Sequence, residues 1–160
     1  MTISVGDKIP NVPVMLATSD GPQKTETAQI FDKGKVALFA VPGAFTPTCS
    51  AKHLPGFVEQ ADALKKMGVS KIVCMAVNDA FVMKAWAEDQ EAFGAVEMLA
   101  DGNGDFTRAL GLELDAKGFG MGARAKRFSA IINNGVVKTL NVEAPGAFEV
   151  SSADYMLKQL

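Results

Sequence analysis

The chain is poor in cysteine. Only Cys49 and Cys74 occur in 160 residues, too few for a disulfide framework and in keeping with a reducing cytoplasm. Histidine is scarcer still, with His53 alone. One imidazole and two separated thiols do not make a zinc site, so no metal is expected. No apolar run approaches the ~18 residues of a membrane span. The opening MTISVGDKIP lacks a basic segment followed by an apolar one, so no secretory leader is expected. A marked excess of one charge sign is missing too. The formal net charge of -2 gives no electrostatic reason for nucleic acid or an anionic membrane as partner. Repeats, low-complexity tracts and long linkers are absent, and the length sets the expectation of a single domain, 1–160, with its own core. The terminal KQL only faintly echoes a peroxisomal SKL address and is read as an ordinary helix end.

What is present is an alternation of strand-like and helix-like segments. KVALFAV (35–41), KIVCMAV (71–77) and VEMLA (96–100) are short apolar runs rich in β-formers, which predicts buried strands. From Cys49 to Met67 the apolar spacing of Phe57, Ala61 and Leu64 predicts a helix. Pro55 inside it should kink it or split off its first turn. A helix from about Asp79 to Phe93 follows, and DFTRALGL (105–112) begins another. RFSAII, NNG and VVKTLNV read as a β-hairpin, because Asn-Gly is a strong turn signal. Ser151 with Asp154 three residues on has the form of a capping box for a last helix. The first 30 residues read as short strands and turns. The fold class is therefore α/β, with a parallel centre and antiparallel strands added by the late hairpin.

The segment PGAFTPTC (42–49) links the first buried strand to the helix that follows it. Cys49 then sits at the start of a helix, near the carboxyl edge of the sheet, where α/β proteins commonly bind ligands. Free N–H groups and the helix dipole there favour an anionic sulfur, and a nearby cation would favour it further. Arg124, Lys126 and Arg127 in GARAKRF are the candidate cations. Thr46 stands where a dithiol motif would carry its second cysteine. Its hydroxyl keeps a polar contact, able to hold a substrate oxygen and donate to the sulfur, but removes the local disulfide partner. Pro42 and Pro47 stiffen the loop and restrict water.

PGAFTPTC also contains P-x-x-x-T-x-x-C, and with its surroundings it resembles the peroxiredoxins, specifically their type II (type 5) branch. The likeness extends through VPGAFTPTCSAKHLPGF, KIVCMAVNDAFVMKAW, LADGNGDFTRALGLELD, KRFSAIINNGVVKTLNVE and SSAD, nearly the whole chain. It implies a thioredoxin-like fold, a central mixed sheet flanked by helices, and a thiol-dependent peroxidase acting on hydrogen peroxide and alkyl hydroperoxides. The resemblance makes Cys49 the attacking thiol, oxidised to a sulfenic acid. It makes Thr46 the residue that orients peroxide and thiolate, Pro42 the shield of the pocket and Arg127, rather than Arg124, the essential cation. Backbone N–H groups near Ala44 and Cys49 would assist. Ala44 is thus a candidate substrate-binding position, and Phe45 and Phe119 are candidate pocket walls. No cofactor is implied.

The branch also suggests how the enzyme is reset. AFEVSSADY (147–155) holds serines where some members carry a resolving cysteine, so an external donor, glutathione with glutaredoxin or thioredoxin, is expected. Cys74 matches the second cysteine of plant-like members. Its apolar strand setting reads as core, with a resolving thiol as the alternative. His53 shares a helix face with Cys49; it reads as a half-exposed residue bonded to backbone or water, with tuning of the thiol as the alternative. Phe45, Phe81 and Trp86 are core by default, while Phe45 and Phe81 are equally candidates for the homodimer patch that the family suggests. Other readings of the whole chain are a redox sensor or holdase switched by Cys49, and a thiol–disulfide oxidoreductase, against which the missing C-x-x-C counts. DGNGDF resembles a calcium loop, but Phe106 and Leu112 stand where Gly and Glu are needed. GFGMG (118–122) misses the dinucleotide-binding spacing and reads as a turn.

Overall fold

The central strands take their places because they are apolar on both sides. A computed structural model describes residues 1–160. In it, β3 (Lys35–Ala40), β4 (Val69–Ala76) and β5 (Glu97–Ala100) run parallel side by side. Ala37, Phe39, Cys74 and Ala76 face one core and Val36, Leu38, Val73 and Met75 the other. This is the two-residue period of a sheet covered on both faces. One face is covered by α2 (Leu54–Glu59), α3 (Ala61–Lys66), α4 (Ala80–Asp89) and α6 (Ala153–Leu157), which supply Phe57, Leu64, Trp86 and Met156. The other is covered by α1 (Thr27–Phe31) and α5 (Asp105–Leu110), which supply Phe31 and Phe106. Full burial of each such side chain contributes roughly 1.5–3 kcal/mol.

Antiparallel hairpins close both edges. β1 (Pro13–Thr18) pairs with β2 (Gly21–Glu26) and with β5. On the other side β8 (Phe128–Asn133) pairs with β3 and with β9 (Val136–Val142). The order β2-β1-β5-β4-β3-β8-β9 makes one mixed seven-stranded sheet. The β8–β9 turn uses Asn134 (φ 50°) and Gly135 (φ 82°), the two successive left-handed residues that an Asn-Gly hairpin turn requires. A separate two-stranded sheet joins β6 (Glu113–Asp115) to β7 (Ala123–Ala125). No helix is long and apolar enough to cross a membrane.

One local expectation is met and two are corrected. The first turn of the helix after Cys49 is split off, as Pro55 leads one to expect: Cys49–His53 is a π turn, followed by α2 and, past Gln60, by α3. Pro55 lacks the N–H that would bond back to Ala51, and its ring crowds that carbonyl in α geometry, which accounts for the wider turn. The last helix is capped by Ser152, whose Oγ accepts from Tyr155 N at 3.1 Å, not by Ser151. At the start of α5 the Asp101 carboxylate accepts from Phe106 N and from both the N–H and the hydroxyl of Thr107. The first 30 residues are not strands and turns alone: α1 begins at Thr27, and at five residues it is too short for its apolar spacing to show a helical period.

Candidate active site

The carboxyl end of β3 runs into the loop of Pro42–Thr46, and helical backbone begins at Pro47. Ser50 is the first residue whose N–H bonds back, to Thr46 O at 3.0 Å. Thr48 and Cys49 precede it, so their N–H groups have no acceptor within the helix. Gly43 makes the loop tight. A Cβ there would lie 2.9 Å from Arg124 Nη1 and 3.2 Å from Thr46 Cγ2, so both side chains would have to shift to admit it. The Thr46 hydroxyl donates to Gly43 O at 2.7 Å. Its proton is therefore committed to the loop rather than to the sulfur, and its lone pairs remain to accept. Phe45 holds the left-handed conformation (φ 63°), a strain of order 1–3 kcal/mol for a non-glycine residue.

Cys49 is fully buried at the start of the π turn. Arg127, at the foot of β8, places Nη2 3.0 Å from its sulfur. The other end of the guanidinium, Nη1, lies 2.8 Å from His53 Nδ1. The Phe148 ring lies 5.7 Å from Arg127 Cζ, within cation–π range. Arg124 is directed elsewhere, donating to Met121 O and Pro42 O. A cavity of about 490 Å³ opens beside the cysteine. Its walls include Pro42, Thr48, Phe119, Met121, Arg127 and Pro145.

The arrangement is that of a single sulfur in contact with a cation, next to a pocket that Thr48 and Arg127 line, with no second thiol in the loop. The chain matches the Redoxin family over residues 4–157. The chain belongs to the peroxiredoxins. It is 52% identical to chloroplastic peroxiredoxin-2E of Arabidopsis thaliana, over 99% of this chain and 70% of that one. It is 47% identical to peroxiredoxin-2B of the same plant, over 99% and 98% of the two chains. Among solved structures, reduced Prx3 of Vibrio vulnificus in complex with hydrogen peroxide superposes with a TM-score of 0.94 at 52% identity, covering 99% of each chain. These relatives place the chain in the type II branch. It is a thiol-dependent peroxidase, an antioxidant oxidoreductase on the thioredoxin-like fold. That activity implies a peroxide substrate and a thiol reductant.

Around this peroxiredoxin thiol, several sequence expectations change. His53 is not half-exposed but fully buried, among the rings of Phe39, Phe57 and Phe148. The Ala44 N–H is taken by Asn78 Oδ1 at 2.9 Å, which removes it as a free donor to substrate. Phe119 lines the pocket, whereas Phe45 does not. Phe45 and Phe81 are exposed, contrary to a core role, while Trp86 is buried and donates to Ser50 Oγ at 3.0 Å. Cys74 is fully buried inside β4, and burial, followed by the neighbouring Cys49, pushes its thiol well above the usual range. Composition gave no hint of Glu143, which follows β9 and bonds through its N–H to Arg127 O.

His53 has a measurable signature. Burial, then the Arg127 charge, holds its pKa down to about 3 from 6.5. Between those values an unfolded chain takes up a proton that the folded one refuses, so stability falls as pH falls. The slope is about 1.4 kcal/mol per pH unit for one such group. Carboxylates such as Glu143, held below their ordinary 4.5 by hydrogen bonds despite the opposing cost of burial, add the same sign only lower down. Urea unfolding between 4.5 and 6.5 should therefore show this slope in the wild type. His53→Gln should remove it.

Proposed function

We propose that Cys49 is the peroxidatic thiol, with Arg127, Thr46 and Pro42 as its partners. The reading rests on the 3.0 Å approach of Arg127 Nη2 to the Cys49 sulfur beside an open pocket. The Cys49 thiolate attacks one oxygen of the peroxide. An S–O bond forms as the O–O bond breaks, the sulfur loses two electrons, and the departing oxygen takes a proton to leave as water or an alcohol. Thr46 accepts a hydrogen bond from the peroxide hydroxyl, since its own proton is committed to Gly43 O. Arg127 neutralises the charge that moves from sulfur to oxygen. Pro42 walls the pocket, and its apolar neighbours Phe119, Met121 and Pro145 suit an alkyl hydroperoxide as well as hydrogen peroxide.

The Cys49 sulfenic acid is reset by an external thiol. One donor forms a mixed disulfide and releases water; a second releases Cys49 as thiol. The buried sulfur must become accessible for this, and the irregular π turn that carries it is the segment suited to open. Glutathione with glutaredoxin, or thioredoxin, is the donor of this reading. Exposed Phe81 and Phe45 suit a homodimer contact, and two free cysteines suit a reducing cytoplasm.

Steady-state peroxide consumption with the two donor systems in parallel tests the reading. Many turnovers per protein are expected with at least one donor, on hydrogen peroxide and on an alkyl hydroperoxide. Consumption of a single equivalent, with either donor present in excess, would instead indicate a stoichiometric sensor.

A further inference from the structure

A carboxylate in the wall of the pocket that Thr48 and Arg127 also line closes a circuit of contacts on Arg127. Glu143 is nearly buried, at 7% exposure, and none of the ion pairs in the structure involves it. Its partners are instead donors from one short stretch. Glu149 N lies 3.0 Å from Oε1 and 2.8 Å from Oε2. Val150 N, Ser151 N and Ser151 Oγ approach Oε2 at 2.8, 2.9 and 2.6 Å. Three successive backbone N–H groups thus converge on one carboxylate, as in an anion nest closed by the protein's own side chain.

The stretch folded by Glu143 delivers two groups to the active site. One is the Phe148 ring, against both His53 and Arg127. The other is the Ser151 carbonyl, 2.9 Å from His53 Nε2. A carbonyl oxygen can only accept, so Nε2 carries the His53 proton. Arginine can only donate, so Nδ1 is the bare nitrogen that receives Arg127 Nη1. With Nη1 held there, Nη2 faces the sulfur. The Glu143 N–H also bonds to Arg127 O at 3.0 Å. The same residue therefore grips the arginine's backbone and, through Ser151 and His53, its guanidinium.

We propose that Glu143 is a positioning residue for Arg127, acting through the Glu149–Ser151 backbone and the His53 tautomer that this backbone fixes. The proposal rests on Cys49 and Arg127 being the reacting pair. Its test uses alkylation of Cys49 by iodoacetamide, which does not depend on peroxidase turnover. Glu143→Gln keeps the shape but removes the charge that the converging donors serve, and sets an amide NH2 against the Glu149 N–H that Oε1 accepted, which weakens the grip on the stretch. Alkylation of Cys49 at neutral pH, in a Cys74→Ala background, should slow about tenfold, the equivalent of one well-formed hydrogen bond. In an Arg127→Gln background the same change should have no effect, because its route to the sulfur is gone.

Equal slowing in both backgrounds would mean that Glu143 only supports the loop, and would overturn the proposal. No slowing in either, with the fold intact by circular dichroism, would overturn it too. Should Glu143→Gln not fold, His53 gives the same test. Glutamine there can accept from Arg127 and donate to Ser151 O, whereas leucine can do neither. His53→Gln should retain the alkylation rate and His53→Leu should lose about tenfold, again one hydrogen bond's worth. Equal rates in the two would overturn the proposal. If alkylation behaves as expected while peroxide turnover is absent, the positioning stands and the peroxidase assignment of Cys49 falls.

Discussion

Cys49→Ser should reduce peroxide consumption to the uncatalysed level, while Cys74→Ser keeps most of the wild-type rate with a glutathione-based donor. Both thiols are fully buried, but their partners and surroundings differ. Cys49 opens a helical turn, has Arg127 Nη2 at 3.0 Å, and adjoins the pocket. Cys74 lies inside β4, opposite Phe39 and Met98 on the neighbouring strands, fully buried. Its thiol is held in the neutral form, first by burial and then by the proximity of Cys49, with the Arg127 charge only partly opposing. A neutral thiol in a strand interior is a poor attacker of a sulfenic acid. Serine at position 74 leaves a hydroxyl in an apolar site and should cost about 1–3 kcal/mol of stability. Cys74→Ala is therefore the companion variant, to separate loss of fold from loss of a thiol. Equal loss of turnover in all three variants would make Cys74 a participant and overturn this division of roles.

The architecture was legible where burial writes itself into composition. β3, β4 and β5 are covered on both faces, so KVALFAV, KIVCMAV and VEMLA had to be continuous apolar runs. The β8–β9 hairpin announced itself through Asn134 and Gly135, whose left-handed backbone few other pairs adopt cheaply. The pairing of Cys49 with Arg127 came from the resemblance, since 78 residues separate them and no periodicity connects them. Other features depend on which donors and acceptors meet in space. The lone histidine read as half-exposed, yet Phe39, Phe57 and Phe148 enclose it. Ser151 looked like a cap because Asp154 stands three residues on, whereas the cap is its neighbour Ser152. The Ser151 hydroxyl instead serves Glu143, a residue that local pattern does not distinguish from any surface glutamate. The free N–H expected at Ala44 is occupied because Asn78, at the end of the neighbouring strand, reaches across to it.

Arg127→Gln should lower the rate of peroxide reaction by about 10²–10³, the loss typical of removing one preorganised donor from a site of developing charge. The charge alone is not sufficient, because Arg127 uses both ends of its fork. Nη1 is held by His53 and Nη2 meets the sulfur. A lysine ammonium is one point charge on a flexible stem and cannot occupy both positions. Arg127→Lys should therefore fall between the wild type and Arg127→Gln. Arg124 supplies the control. It is only three residues away in the chain, equally basic, and bonded to the carbonyls of Met121 and Pro42 rather than to the sulfur. If basic charge near the pocket mouth were sufficient, Arg124→Gln would cost as much as Arg127→Gln. If the fork on Cys49 is what matters, Arg124→Gln should cost at most a few-fold, through looser seating of Pro42, at roughly the level of one neutral hydrogen bond. Stopped-flow oxidation of reduced protein by hydrogen peroxide measures all three variants directly. Equal losses for Arg124→Gln and Arg127→Gln would remove the specific role of the 3.0 Å contact.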